Sequence, residues 1–392
     1  MMKLNTMRTR LDGLVIFRGI LQANIVPAFR AMLAAVGSED FVSAAADFEN
    51  QLFERGWTRV LLDAVLQDEN ICIRKAASGG AGQAAARCMD SELEFLQQLS
   101  RVTLVDLTGG EESLAFLPRW ETEEVDFAAA YAERLAEVGQ KGYGMFARHH
   151  MFTIEDGSLI PVRFPDPQRL SELPGYEHER EKVIANTKAL LSGKPAVNVL
   201  LYGDAGTGKS SSVKAIANEF AADGLRLVEV KKNQLYQIPD LMDKLAANPL
   251  KFILFIDDLS FSANDDNFAA LKAILEGSVG GRSQNVVVYA TSNRRHLIKE
   301  TLSDRSGDDI HEADTRQELM SLSARFGLTV TFQRPEKARF ETILAELAKQ
   351  HGIDMPMDQL LVKAEAFAIR AGGRSPRVAK QFIEQCEAGV QK

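Results

Sequence analysis

One segment constrains the fold of this chain more than any other: NVLLYGDAGTGKSSSVKAIANEF, residues 198–220. Gly203, Gly208, Lys209 and Ser210 satisfy G-x-x-x-x-G-K-[ST] between an apolar run that reads as a strand and a segment that reads as a helix. Small loop residues let successive backbone N–H groups turn inward around an anion, and the helix that follows adds the positive end of its dipole. Gly203, Asp204, Ala205, Gly206, Thr207, Gly208, Lys209, Ser210 and Ser211 therefore form the candidate phosphate cradle. Lys209 is the residue to reach the β and γ phosphates of ATP, and Ser210 the one to ligate Mg²⁺.

Composition narrows the classes. The chain has 392 residues, 45% hydrophobic and 26% charged, which suits two or three folded domains and argues against wholesale disorder. Acidic residues outnumber basic ones, 54 to 46, for a net charge of −8. That weighs against a nucleic-acid partner, although a local basic patch remains compatible with it. Three scattered cysteines, Cys72, Cys88 and Cys386, fit neither a disulfide framework nor a metal knuckle, so a cytoplasmic location is expected. Arg18 interrupts the apolar run near the N-terminus, against a secretory signal. No apolar run approaches the roughly 20 residues of a membrane span, so no membrane partner is expected.

The chain divides into three parts. Residues 1–168 read as a mainly helical N-terminal domain. An amphipathic helix is expected from a Thr122 cap to Val138, another over Phe41 to Leu66, and a break at Ser78 to Gly82. Asp156-Gly157 between β-prone runs predicts a two-residue hairpin, taken as the end of this domain, followed by a linker containing Pro161, Pro165 and Pro167. Residues 169–334 alternate strands with helices, the signature of an α/β parallel sheet flanked by helices. The expected strands are Asn198 to Tyr202, Leu225 to Val230, Phe252 to Ile256, Val286 to Ala290 and Leu328 to Phe332. Residues 335–392 return to helical periodicity from Pro335.

Two further strand ends carry chemistry. KFILFIDDLSF ends its apolar run in Asp257, a carboxylate placed to hold Mg²⁺ with Ser210, and Asp258 is the candidate to orient or deprotonate an attacking water. NVVVYATSN ends in Asn293, a polar group able to position that water.

Together these segments resemble the AAA+ ATPases over about residues 170–390. GDAGTGKS resembles Walker A, FILFIDD Walker B, and ATSN a sensor 1 ending in Asn293. SARFGLTVTF is similar to the arginine-finger box, which implies that Arg325 acts in trans on a neighbouring subunit. GRSPRVAKQF resembles sensor 2, with Arg377 the better match and Arg374 the alternative. LPGYEHER resembles the segment that contacts adenine, implying base or ribose contacts from Leu173, Gly175 and Tyr176. The resemblance implies a P-loop NTPase (AAA+) fold with a helical C-terminal lid, ATP and Mg²⁺ as ligands, and a homo-oligomer, ring or filament. The paired aspartates resemble replication initiators and helicase loaders. The run from LKAILEGSV to SARFG resembles more closely an uncharacterised bacterial AAA family, the domain of unknown function numbered eight-fifteen. Aspartate is one methylene shorter than the usual glutamate, and slow hydrolysis is the expectation.

The leading functional expectation is an oligomeric ATPase that loads or remodels an unidentified macromolecular partner, a protein client. A nucleotide-gated scaffold with little hydrolysis and a small-molecule kinase are the alternatives. Ser303 to Glu318 reads first as a solvated loop, and Arg294, Arg295 and His296 as interface cations. Tyr236 is expected to pack on a helix, and His149 and His150 to lie in a surface turn.

Overall fold

In the computed structural model, the described residues are 4–22, 25–53, 55–76, 80–260, 267–276, 284–293 and 324–390. Arg294, Arg295, His296, the acidic stretch 303–318 and part of the expected break at 78–82 lie outside them. Two compact units divide between Arg148 and His149.

The first unit is helical. Its longer helices are α1 (Leu4–Asp12), α2 (Val26–Ala35), α3 (Phe41–Leu52), α4 (Trp57–Gln67), α5 (Ile71–Ala76), α6 (Gln83–Leu99) and α7 (Phe127–Ala136). Aromatic rings fill its centre: Phe29 stacks on Trp57 at 4.2 Å, and Phe48 meets Trp57 and Trp120 edge-on at 5.3 and 5.1 Å. Both indoles find acceptors, Trp57 on the Leu99 carbonyl and Trp120 on that of Val102. The Glu92 carboxylate accepts from the backbone N–H groups of Val15, Ile16 and Phe17, which pins an irregular segment that no helix would satisfy. The single helix expected over Phe41 to Leu66 is two helices, α3 and α4, parted at Gly56. The helix expected from Thr122 starts at Phe127 instead, where Asp126 caps Ala129 N–H at 2.9 Å. Residues 121–123 are held against α4, with Trp57 N–H on the Glu121 carbonyl and Glu123 N–H on the Thr58 hydroxyl, so Thr122 cannot cap a helix there.

The second unit is built on seven strands: β1 (Met151–Glu155), β2 (Ser158–Pro161), β3 (Val199–Gly203), β4 (Leu225–Glu229), β5 (Lys251–Ile256), β6 (Val286–Ser292) and β7 (Leu328–Phe332). Their order is β2-β1-β4-β5-β6-β3-β7, parallel except for the β1–β2 pair. All of β6 and all but the first residue of β5 are buried, as continuous apolar runs in a two-sided sheet should be. Helices α8 (Glu177–Leu191), α9 (Lys209–Glu219), α10 (Ile238–Ala246) and α11 (Asn267–Glu276) accompany the sheet, and α12 (Lys337–Gln350), α13 (Met357–Arg370) and α14 (Pro376–Glu387) follow β7.

The expected hairpin is present, with Asp156 at φ 48° and Gly157 at φ 76°, the left-handed pair of a type I′ turn. Its place differs from the expectation. β1 pairs in parallel with β4, Met151 opposite Leu227, and Leu227 N–H donates to the His150 carbonyl. The hairpin therefore extends the second unit's sheet, and the boundary falls at 148–149 rather than near 168. Pro161 ends β2, where a missing N–H blunts the sheet edge.

Asp68, in the first unit, is 8% exposed and accepts from the Asn70 side chain. Burial is the main cause that pushes its carboxyl up to about 6 from an ordinary 3.8, with Glu69 and Glu92 adding repulsion. Folding thus favours the protonated acid: the stability it contributes is full below the ordinary value and is lost as pH rises through about 6. Between pH 5 and pH 8 the full chain should lose about 1–1.5 kcal/mol of stability that Asp68→Asn does not lose, as read by thermal melts at the two pH values.

Candidate functional site

The carboxyl ends of β3, β6 and β5 meet at one edge of the sheet. Parallel register sets Leu201 opposite Thr291 and Tyr202 opposite Ser292, while Ile256 stands opposite Ala290. The residues just past these ends, Gly203 to Lys209, Asp257 to Asp258 and Asn293, consequently face one another.

The loop is shaped by glycine where only glycine fits. Gly203 has φ +139°, and a Cβ there would lie 2.0 Å from the Phe332 carbonyl oxygen. Gly206 and Gly208 have φ +78° and +88°. Asp204 ties the loop to the end of β7, its N–H donating to the Phe332 carbonyl and its carboxylate accepting from Arg334 N–H at 2.8 Å. Thr207 Oγ1 donates to the Asp204 carbonyl.

Lys209 opens α9 and is 6% exposed. Its ammonium makes three bonds, to the Gly203 carbonyl at 2.8 Å, the Asp204 carbonyl at 2.7 Å and Asn293 Oδ1 at 3.0 Å. An ammonium has three protons, so protein groups satisfy it completely. Burial holds its pKa below the ordinary lysine range, while the charges of Asp204, Asp258 and Asp257 act upward. Asn293 donates through Nδ2 to Asp258 Oδ1 at 2.9 Å. Asp258 sits at φ 51°, left-handed for a non-glycine residue, and its N–H donates to Thr291 Oγ1 and Asp257 Oδ1. Asp257 Oδ1 also accepts from Ser210 Oγ at 2.6 Å and from Thr291 Oγ1 at 2.5 Å.

Lys209, Ser210, Asp257, Asp258, Thr291 and Asn293 line a cleft of about 490 Å³ that also takes in Ala205, Ser211, Tyr176 and Arg377, whereas Gly203 and Asp204 are not lining residues. Its far wall comprises Leu173, Pro174 and Tyr176 with Ile343 and Leu347 of α12; Gly175 is not a lining residue, but packs against Ile343. Tyr176 stacks on Phe332 and donates its hydroxyl to the Gln333 carbonyl; burial pushes its phenol up to about 12. Arg377 backbone N–H donates to the Gly206 carbonyl, and its side chain lines the cleft. Arg374 instead forms a bidentate pair with Glu365. Arg325 does not line the cleft.

Several lining residues carried no expectation. Asp166 and Gln168, in the proline-containing stretch read as a linker, form part of the wall, and Asn218 Nδ2 holds both of their carbonyls at 2.8 Å. Asn218 Oδ1 must then accept from His150 Nε2–H, which fixes that tautomer. His150 is thus a half-buried anchor rather than part of a plain surface turn. Arg180 and Lys380 also line the cleft, and the only signal for either was helical spacing, four residues after Tyr176 and three after Arg377. Tyr236 departs from its expected packing: it is 68% exposed in the turn Lys232–Gln237.

The donor set suits a nucleoside triphosphate with a divalent cation. Phosphate oxygens can replace the acceptors on Lys209, and the Ser210 hydroxyl and Asp257 carboxylate put hard oxygen donors at one point. Among the described residues no cluster of three or more His, Cys, Asp or Glu could hold a metal by itself.

A family described as "Protein of unknown function (DUF815)" matches residues 146–390. The chain belongs to that family. Its fold is AAA+-like: the strand bearing Asn293 lies between the P-loop strand and the Asp257 strand, and β7 flanks the P-loop strand on its other side. The ATP-dependent zinc metalloprotease FtsH of Helicobacter felis is 26% identical over 259 residues, 57% of this chain and 39% of that protein. The DUF815 chain thus spans less than half of that relative's length. Among solved structures, the Thermotoga maritima RuvB Holliday junction branch migration motor aligns at 18% identity over 56% of this chain and 64% of its own, with a TM-score of 0.37. A point mutant of that RuvB aligns over 57% and 65%, with a TM-score of 0.36.

Gly203→Ala should destabilise the second unit by about 2–4 kcal/mol, because the methyl group meets a backbone oxygen that cannot swing away. Denaturant unfolding against Gly208→Ala, whose Cβ meets nothing within 4 Å, measures the excess due to that collision.

Proposed function

We propose that this chain is an ATP-binding, Mg²⁺-dependent AAA+ ATPase that couples nucleotide binding and hydrolysis between subunits to loading or remodelling of a macromolecular partner, a protein client. The observation that carries this reading is the chain of bonds Lys209–Asn293–Asp258 beside the Ser210–Asp257 pair. A bound Mg²⁺ supplies charge neutralisation at the phosphate oxygens. Ser210 and Asp257 are the residues to hold it, Asp257 either directly or through water. The backbone N–H groups of residues 204–210 and the α9 N-terminus orient the phosphates.

Lys209 is saturated by protein acceptors, so accepting a phosphate oxygen costs it at least one of them. Asn293 is the replaceable one, since the two carbonyls belong to the loop itself. Released from Lys209, Asn293 retains Asp258, and the pair can orient a water for attack, with Asp258 taking its proton. Arg377 faces the cleft and suits a nucleotide-sensing role better than Arg374, which is committed to Glu365. Arg325, outside its own cleft, fits action on a neighbouring subunit in a head-to-tail homo-oligomer, ring or filament. The three cysteines are unpaired with one another, in keeping with a cytoplasmic location, and no described helix is long and apolar enough to cross a membrane. One observation favours the alternative of a nucleotide-gated scaffold with little turnover: Asp258 is held by Asn293 on a short side chain, which limits its reach to water.

Steady-state phosphate release across a range of protein concentrations tests the enzyme. Turnover should exceed that of Lys209→Ala and vanish in Asp258→Asn, which still binds ATP; wild-type release no faster than Lys209→Ala would leave only the scaffold. Asn293→Ala separates the two tasks of that residue. Its turnover should fall by about tenfold or more while its affinity for ATP holds or tightens, because a competitor for Lys209 is gone.

A further inference from the structure

Asp204 does not line the cleft, yet each of its polar groups is committed. Its N–H donates to the Phe332 carbonyl at 3.1 Å, and its carboxylate accepts from Arg334 N–H at 2.8 Å. Its carbonyl accepts from Lys209 Nζ at 2.7 Å and from Thr207 Oγ1 at 2.8 Å. In a parallel pair of strands the bonds recur at every second residue: a residue whose N–H donates to one carbonyl of its neighbour accepts, through its own carbonyl, from the N–H two residues further along that neighbour. β3 and β7 keep this step, with Leu328 N–H on the Asn198 carbonyl, Gly203 opposite Phe332, and Asp204 N–H on the Phe332 carbonyl. The next rung would take Arg334 N–H to the Asp204 carbonyl.

That carbonyl is occupied. A carbonyl oxygen has two lone pairs, and Lys209 and Thr207 fill both, so the main chain cannot serve the ladder and the lysine at once. The carboxylate takes the rung instead. An acceptor one methylene from the backbone is the kind that stands in for a main-chain carbonyl in Asx-turns, and an ionised one makes the stronger bond. The lysine depends on the outcome. It is 6% exposed, and its other acceptors are the Gly203 carbonyl and Asn293. With Asn293 the acceptor given up to a phosphate, the two loop carbonyls are what hold the ammonium in aim.

We propose that Asp204 is a positioning residue for Lys209: its carboxylate replaces its own carbonyl in the β3–β7 ladder, which leaves that carbonyl free to aim the ammonium at a phosphate. As far as it concerns binding, this inference rests on the cleft's taking a nucleoside triphosphate. What position 204 must supply is an acceptor at a fixed reach, not a charge. Asparagine supplies it, alanine has none, and glutamate keeps the charge but carries its oxygens one methylene further out. Without the side-chain acceptor, Arg334 N–H reclaims the main-chain carbonyl, and Lys209 loses one of its three partners.

Two measurements on the full chain test it with Asp204→Ala, Asp204→Asn and Asp204→Glu: crystal structures without nucleotide, and competition of ATP against a fluorescent ATP analogue in Mg²⁺. Asp204 is exposed, so none of the three removes core packing. In Asp204→Ala the Arg334 N–H should lie on the carbonyl of residue 204, Lys209 should have left that carbonyl, and ATP should bind about tenfold more weakly. Asp204→Asn should place Oδ1 on Arg334 N–H and recover most of that loss, to within about threefold of the wild type. Asp204→Glu should resemble the alanine variant. A carbonyl that still holds Lys209 in Asp204→Ala overturns the proposal. Affinity lost equally in the alanine and asparagine variants but kept by glutamate makes Asp204 an electrostatic partner of Lys209, which overturns it as well, and so does affinity unmoved in all three. A wild type that binds no ATP defeats the nucleotide reading of the cleft, a separate failure, and the nucleotide-free structures still decide whether the carboxylate replaces the carbonyl.

Discussion

The parallel register of β5, β6 and β3 is the constraint on which the site depends. It places the ends of three strands level, so that a lysine after one, an asparagine after the second and two aspartates after the third come within hydrogen-bonding distance. Nothing local would bring them together. The register is itself secured by burial, since a slip by one residue would turn every side chain of these strands to the opposite face, and their runs of Val, Ile, Leu and Phe pack on both. Packing energy spent on the sheet thus fixes the relative positions of charged groups that would otherwise repel or disperse.

Electrostatics then determines what the assembled site favours. Lys209 is removed from water, which alone would push it toward neutrality, and Arg377 acts in the same direction. Asp204, Asp258 and Asp257 oppose both. The carbonyls of Gly203 and Asp204 and the amide oxygen of Asn293 take the places that water would have filled. The cation is stored in a satisfied form, which avoids an orphaned buried charge but makes any anion compete for it. The same economy applies to Asp257, whose one oxygen collects Ser210, Thr291 and the Asp258 N–H.

Much of this was legible before the fold was known, and the reasons for the rest are physical. The phosphate loop and five of the six parallel strands could be read because each signal is local: glycines at fixed offsets, and apolar runs bounded by turns. Asp156-Gly157 also announced its hairpin, but a turn motif says nothing about which sheet accepts the strand; β4, far along the chain, decided that. The joint between α3 and α4 was hidden because apolar periodicity resumes beyond Gly56, and Thr122 resembled a cap until its segment proved to be bonded to α4. Arg180 was invisible for a related reason. A lone arginine in an acidic first turn, EHEREK, reads as a solvated helix face, yet in the fold it is buried in the cleft wall.

The proline-containing stretch shows how a segment without regular structure can still have a fixed position. Pro161 stops β2, and from there the chain must cross to α8 with few backbone partners of its own. Asn218 supplies them, donating to the carbonyls of both Asp166 and Gln168 from α9, the helix that Lys209 begins. His150, immediately before β1, fixes the Asn218 amide in the only orientation that serves both carbonyls. The cleft wall is therefore tied at once to the helix behind the phosphate loop and to the point where the chain enters the sheet. The His150–Asn218 bond thus links the start of β1, in the hairpin added at the sheet edge, to the cleft wall, which makes that hairpin part of the cleft's support rather than an ornament of the fold.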